Sequence, residues 1–313
     1  MLNQKPEHVR HITCIGAGPI GGGWAAHYLA QGYHVTSYLH DASEHEALMR
    51  LIENAWVSLE EIGLADGASL NNFSWTTDLA KATEKAEFIQ ESIPEILELK
   101  QALYQTLGEI VDPQVVIASS TSGLSMTDIQ ANCATPERTV VAHPFNPPYL
   151  LPLVEMIGGK KTAPDTVAWT EQFYKVAGKS PLVMKKEVPG FIATRLQEAI
   201  WREALHMVAN GEATVEQIDQ AVVNGPGPRW ALMGPCEIFH VGGGEGGMAY
   251  CLDQFGPALK LPWTRLIAPE LTDELRNAMV DGCVDMTKGQ DFATLSRKMN
   301  DGLVEIAKMK RQK

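Results

Sequence analysis

HITCIGAGPIGGGWAAHYLAQGYHVTSYL, residues 11–39, is the stretch that decides the fold. HITCIG (11–16) is a short apolar run ending at a glycine, the pattern of a buried strand. WAAHYLAQG (24–32) carries a helical apolar period, and HVTSYL (34–39) reads as a second strand, so the three outline a βαβ unit. Between strand and helix, Gly16-Ala17-Gly18-Pro19-Ile20-Gly21 fits G-x-G-x-x-G in the context that gives this motif meaning. Gly16 permits the tight turn and Gly18 lets the backbone approach a pyrophosphate. Gly21 lets the helix pack close, with its N-terminus toward the anion. The whole turn, Pro19 and Ile20 included, is expected to seat a dinucleotide.

An acid about 20 residues further on normally holds the ribose hydroxyls at the end of the second strand. Here the chain reads Tyr38-Leu39-His40-Asp41, which makes Asp41 the candidate, displaced toward the far side of the strand end. No arginine follows before Arg50, so a 2′-phosphate has only His40 nearby and NAD is expected over NADP.

Outward from this unit, AEFIQES (86–92), VVIASST (115–121), TVVAHPF (139–145) and LPLVEMI (151–157) are further β-type runs. Helical stretches, EILELKQALYQTLGEI (95–110) and DTVAWTEQFYKVAG (165–178), lie among them. This alternation predicts an α/β fold with a doubly wound, mostly parallel sheet of the Rossmann type. The texture changes after PLVMKKEVPG: from Gly190 onward the pattern is helical, broken at NGPGPRW (224–230) and HVGGGEGG (240–247). We expect a nucleotide-binding domain over 1–188 and a helical domain over 189–313, the chain's 313 residues being more than one core usually serves. There is no internal repeat.

A net charge of −12 argues against a nucleic-acid partner, which demands a basic face. Five scattered cysteines (14, 133, 236, 251 and 283) with no CxxC pair read as reduced thiols rather than a disulfide frame or a zinc site, and no metal is expected. The opening MLNQKPEHVRHI has no apolar core for a secretory signal. The most apolar helical segment, GFIATRLQEAIWREALHMV (190–208), is interrupted by Arg195, Glu198, Arg202 and Glu203 and cannot span a bilayer. A soluble, cytoplasmic protein with no membrane partner is expected.

Two polar features stand at predicted strand ends, where open α/β sheets bind ligands. Ser119-Ser120-Thr121-Ser122 follows VVIA; its hydroxyls either meet a ligand or cap the next helix. VVAHPFNPPYLLPLVEMIGG (140–159) is apolar apart from His143, Asn146 and Glu155. Burying an ionisable group unpaired is costly, so His143 and Glu155 are expected to partner each other. An imidazole can take the proton of a hydroxyl while hydride leaves the same carbon, and a carboxylate behind it fixes the tautomer. The plain alternative is a satisfied core histidine.

GAGPIG, SSTSGL, AHPFNP, LVEMI and KEVPGFIATRL, in this order and spacing, resemble the 3-hydroxyacyl-CoA dehydrogenase family over essentially the whole chain. The resemblance implies NAD-dependent oxidation of an L-3-hydroxy group and a helical C-terminal domain that forms a homodimer. It implies His143 as general acid/base, Glu155 as its orienting carboxylate, and Ser122 and Asn146 at the substrate oxygen. It also implies Glu95 near the nicotinamide. Two positions depart from the family: Thr194 stands where an active-site asparagine is usual, and Leu39 where the ribose-binding acid aligns.

GPGPRWALMGPCEIFHVGGGEGGM (225–248) and DQFGPALKLPWTRLIAPELT (253–272) look most like the branch acting on L-carnitine. The L-gulonate branch shares the Arg-aromatic-Ala segment. The expected substrate is therefore a small zwitterion, L-carnitine. The alternatives are another small L-3-hydroxy acid (L-gulonate, 3-hydroxybutyrate) or a 3-hydroxyacyl-CoA, and, further off, a non-catalytic NAD-binding structural protein. Arg229 suits the carboxylate bidentately, and aromatic faces suit the trimethylammonium. The candidates are Trp230, Phe191, Phe239 and Tyr149, then Trp201 and Trp263; plain packing is the alternative for each aromatic, and a surface or interface position for Arg229.

Overall fold

The computed structural model of the chain describes residues 4–255 and 292–311, with 257, 264, 270, 272–275, 277, 288 and 290. Cys283 and Trp263 lie outside the described residues. Eight strands form one sheet: β1 (His11–Ile15), β2 (His34–Tyr38), β3 (Phe73–Thr76), β4 (Phe88–Glu91), β5 (Val116–Ser119), β6 (Thr139–Pro144), β7 (Leu153–Ile157) and β8 (Ser180–Val183). Their order is β3-β2-β1-β4-β5-β6-β7-β8. All pairings are parallel except β6 with β7. This is the Rossmann-type sheet the pattern predicts, and the chain's order reverses between β1 and β4, where such sheets open a ligand crevice.

The central strands read as continuous apolar runs because both faces are covered. Ile12, Cys14, Phe88, Val116, Val140 and Ala142 pack with Trp24, Leu48 and Phe173 on one face. Ile15, Ile89, Ile117 and Val141 pack with Tyr104, Leu107 and Ile129 on the other. The edge strands β3 and β8 are short and partly exposed. Neither is announced by the apolar pattern, since an edge strand needs backbone partners more than buried side chains.

The α-helices that precede β8 are α1 (Pro19–Ala30), α2 (His45–Ile62), α3 (Leu79–Thr83), α4 (Leu97–Ile110), α5 (Met126–Ile129) and α6 (Pro164–Val176). Helix α1 starts at Pro19, five residues before the helical period becomes visible at Trp24. PIGGG has no periodicity to read; the helix forms there because it packs at backbone distance. A Cβ on Gly21 would lie 2.1 Å from the Gly16 carbonyl oxygen, so no other residue fits. Gly16 itself has φ 114°, and a Cβ there would meet the Ser92 carbonyl oxygen at 2.5 Å.

The chain forms two compact units, residues 1–194 with 299–313, and residues 195–298. The second contains most of α7 (Ala193–Ala209), then α8 (Val215–Asn224), α9 (Pro226–Trp230), α10 (Pro235–Gly242) and α11 (Gly247–Phe255). Among the described residues no strand follows β8. The end of helix Phe292–Arg311 belongs to the first unit: Val304 is buried, and Asn300 Nδ2 donates to Tyr149 Oη at 3.0 Å. Cys14, Cys133, Cys236 and Cys251 are free thiols. Among the described residues no helix is long and apolar enough to cross a membrane.

One buried cation organises the side of the sheet opposite α1. Helices α4 (Leu97–Ile110) and α5 (Met126–Ile129) cover that face. Arg138 is 1 % exposed and donates to the carbonyls of Leu107 (3.0 Å), Val111 (3.1 Å), Asp112 (2.5 Å) and Val115 (3.0 Å), and to Thr135 Oγ1 (2.7 Å). The Leu107 and Asp112 carbonyls also accept the backbone N–H groups of Val111 and Val115. The guanidinium therefore adds to those bonds, and it partners the Val111 carbonyl just past the C-terminal end of α4, where a positive charge suits the helix dipole. Arg138→Met removes five hydrogen bonds from a buried position and should destabilise the protein by about 3 kcal/mol or more in urea unfolding. A loss below about 1 kcal/mol would show that water replaces the guanidinium.

Candidate active site

His143 lies near the end of β6 and Glu155 in the middle of β7, directly opposite one another in the antiparallel register. Their side chains meet at 3.1 Å, Nδ1 to Oε2, with Glu155 wholly buried and His143 8 % exposed. The other oxygen of Glu155, Oε1, accepts from the backbone N–H of Ile192 and of Ala193, each at 2.8 Å, at the start of α7. Burial pushes the Glu155 carboxyl up, but the bonds from His143, Ala193 and Ile192 outweigh it and hold it below its ordinary 4.5. The carboxylate is therefore an acceptor and Nδ1 carries a proton, so that in the neutral imidazole Nε2 holds the lone pair. Phe145 and Phe191 flank the imidazole, with ring centroids at 5.3 and 5.4 Å. Phe191 is buried and has φ 50°, a conformation a non-glycine residue keeps only when its surroundings hold it there.

Asn146 is exposed in the otherwise largely buried loop after β6 and is joined to Pro147 by a cis peptide. Beyond it, the buried Lys179 ammonium donates to the carbonyls of Pro148 and Leu151 and sits 5.0 Å over the Trp24 ring. Burial without a carboxylate partner pulls its pKa down from 10.5 to about 7.

The hydroxyl cluster lies on the same carboxyl edge of the sheet, beyond β5. Glu95 Oε1 accepts from Thr121 Oγ1 (2.5 Å), Ser122 N (2.9 Å), Gly123 N (3.1 Å) and Ser122 Oγ (3.3 Å). Burial raises the Glu95 carboxyl, but the Thr121 bond, the Lys100 charge and the backbone bonds bring it below its ordinary value. Lys100 Nζ is 3.6 Å from Glu95 and 2.6 Å from Glu91, and the Glu91–Lys100 pair is buried. Ser119 donates to Glu91 Oε2 at 2.5 Å. In the sequence Glu91 and Lys100 carry no signal beyond being a glutamate and a lysine on segments otherwise expected to be covered.

The glycine turn lines a cavity of about 400 Å³ with Ser92, Ile93 and Pro94 on one side and Tyr38, His40 and Glu44 at the far end. A Cβ at Gly18 would meet nothing within 4 Å, so the backbone there fronts open space. Helix α1 also has no side-chain cap, which leaves its first amides for an anion. These residues fit the pyrophosphate of a dinucleotide. Asp41, expected at the ribose, does not line this cavity. It is exposed and caps the turn Ala42–Glu44 through Ser43 N at 2.8 Å. The carboxylate on the cavity wall is Glu44, whose Oε2 accepts from His40 N and Asp41 N. Leu39, at the family's acidic position, is fully buried.

Tyr149 accepts from Asn300. Arg229, Trp230, Phe239 and Trp201 belong to the second unit, where all are exposed. Thr194 closes the first unit's main segment.

Glycine turn, sheet and cavity define a dinucleotide-binding protein, and comparison with known proteins makes it an NAD-dependent dehydrogenase. Residues 11–188 match the 3-hydroxyacyl-CoA dehydrogenase, NAD binding domain, and residues 190–279 the C-terminal domain of the same enzymes. The chain belongs to the 3-hydroxyacyl-CoA dehydrogenase family. It is 56 % identical to an L-carnitine dehydrogenase of Streptomyces coelicolor, covering 96 % of this chain and 95 % of the relative. It is 49 % identical to an L-carnitine dehydrogenase of Bacillus cereus, covering 98 % and 94 %. Among solved structures it resembles an NAD+-dependent 5-formyl-3-hydroxy-2-methylpyridine 4-carboxylic acid 5-dehydrogenase (TM-score 0.81, 27 % identity, covering 96 % and 98 %). It also resembles 3-hydroxybutyryl-CoA dehydrogenase of Escherichia coli (TM-score 0.66, 27 % identity, covering 88 % and 57 %).

The Glu155 contacts predict an acid-stability signature. With a folded-state pKa below its ordinary 4.5, Glu155 contributes stability that is complete above pH 4.5 and is lost as the pH falls through the lower folded value. Denaturation midpoints should therefore fall less steeply below pH 4.5 for Glu155→Gln than for the parent. Equal slopes would detach this residue from acid unfolding.

Proposed function

We propose that the protein oxidises L-carnitine to 3-dehydrocarnitine with NAD, His143 acting as the general base and Glu155 orienting it. The observation that carries the chemistry is the occupation of Nδ1 by Glu155, which leaves Nε2 as the base. Nε2 takes the hydroxyl proton as the C3–H bond breaks and hydride leaves that carbon; Glu155 stabilises the imidazolium. NAD, when bound along the glycine turn, supplies the hydride acceptor. Ser122 and Asn146, both exposed on this sheet edge, hold the substrate oxygen, with Glu95 fixing the Ser122 turn. Glu44 takes the ribose contact in place of Asp41.

The substrate assignment is supported by the two relatives named L-carnitine dehydrogenase, each alike over nearly the whole chain. Its chemistry suits Arg229, a bidentate partner for the carboxylate, and Trp230, Phe239, Phe191 and Tyr149 as faces for a trimethylammonium that cannot donate hydrogen bonds. We assign the helical region expected over 189–313 as the substrate and dimerisation domain, apart from residues 299–313, which belong to the first compact unit. Val223, Leu232, Val241 and Leu252, each more than half exposed, form apolar surface that a homodimer would cover. The unpaired thiols suit a cytoplasmic location.

His143→Gln should lower kcat by about 10²- to 10⁴-fold while NAD binding persists. Near-normal turnover would remove the mechanism. A panel of L-carnitine, L-gulonate, 3-hydroxybutyrate and an uncharged carnitine isostere, read by NADH absorbance, tests the substrate. Equal kcat/KM for the isostere would eliminate the ammonium site.

A further inference from the structure

Ser92 immediately follows β4 and Ser120 follows β5, beside the cavity of the glycine turn. Their hydroxyls are 2.9 Å apart, and which one donates is fixed by groups behind them. The Trp24 indole, which can only donate, gives its Nε1–H to Ser120 Oγ at 3.2 Å. Gln90 Oε1 receives Tyr28 Oη at 3.0 Å and Tyr174 Oη at 2.6 Å. Burial pushes both phenols up, so both keep their protons and donate. Turning the amide over would face its NH₂ to both phenols and deprive a buried phenolic proton of its acceptor. Gln90 Nε2 therefore faces Ser120 Oγ, at 2.9 Å.

Ser120 Oγ thus accepts twice. A hydroxyl has two lone pairs and one proton, so the Ser120 proton is left for Ser92. Ser92 Oγ accepts it and keeps its own proton, which no acceptor among the described residues receives. Trp24, Tyr28, Tyr174 and Gln90 are wholly buried, so water does not scramble this order. The Ser92 carbonyl also packs against Gly16, placing the residue beside the first turn of the motif.

We propose that Ser92 is a hydrogen-bond donor to an acceptor oxygen of the bound dinucleotide, its direction set through Ser120 by the buried Trp24–Gln90 network. A dinucleotide offers such acceptors on its phosphates and riboses. The inference rests on the dinucleotide lying along the glycine-turn cavity, and the test separates the two.

NAD affinity is measured by quenching of tryptophan fluorescence, with thermal unfolding followed in parallel. Ser92→Ala should weaken NAD about three- to tenfold, the worth of one neutral hydrogen bond, with the unfolding midpoint unchanged. Ser92→Thr, which restores the hydroxyl, should recover the affinity. Gln90→Glu replaces the donor facing Ser120 by an acceptor. The Ser120 proton then turns inward, Ser92 must donate to Ser120, and NAD affinity falls although Ser92 is intact. Adding Ser92→Ala to Gln90→Glu should then cost nothing more. NAD binding by Ser92→Ala within about twofold of the parent would overturn the proposal, as would a full further loss in the double variant. Should Gln90→Glu lower the unfolding midpoint, the Ser92→Ala and Ser92→Thr pair decides alone. Gly18→Asp, which fills the open space at the turn, checks the cavity itself: unchanged binding there would sink the cavity reading and this proposal together.

Discussion

A carboxylate sealed from water must find donors for both oxygens, and at Glu155 those donors come from two different parts of the chain. Oε2 takes the Nδ1 proton of His143 on the neighbouring strand, and Oε1 takes two successive amides where α7 begins. One side chain thus fixes the tautomer of the imidazole and holds the backbone at Ile192 and Ala193. Moving either partner would leave a buried charge unsatisfied, at a cost well above that of an ordinary hydrogen bond. The left-handed φ of Phe191 persists in this setting because the next two amides are held by Glu155 and the ring itself is buried against His143.

The rest of the sheet edge follows the same logic with weaker partners. Parallel strands bring the ends of β1, β4, β5 and β6 to one side, so loops far apart in sequence become neighbours. Apolar packing covers both faces of the sheet but cannot shape those loops, whose backbone groups need hydrogen bonds. Glu95 gathers the 121–123 turn, Glu91 and Lys100 form a buried pair beneath it, and Lys179 holds the carbonyls beyond Asn146. Arg138 does the equivalent task at the far end of α4. Each buried charge at this edge or beneath it ties one irregular segment to a regular element.

Much of this is legible in the sequence alone. Alternating strand and helix patterns specify the α/β sheet, and the glycines at 16, 18 and 21 announce the nucleotide turn, because local backbone geometry demands those residue types. The start of α1 was hidden, since its first turn is stabilised by close approach to Gly16 rather than by periodicity. β3 and β8 were hidden because edge strands carry little burial signal. Arg138 sits in a polar run that looks like a surface loop, and only its five acceptors reveal it as a core residue. The displaced acid is a similar case. Spacing pointed to Asp41, yet capping geometry engages Asp41 in its own turn and brings Glu44 to the cavity.

By itself the sequence determined the class of fold, the nucleotide motif and the presence of one imidazole and one carboxylate in an apolar stretch. It did so because those properties depend on residue type and short-range spacing. Only the tertiary structure decided that β7 turns back antiparallel to β6, so that residues twelve apart stand face to face. Only it decided which protons point where in the network behind Ser92. Register and hydrogen-bond direction arise from groups brought together across the sheet, and no local pattern in the chain encodes them.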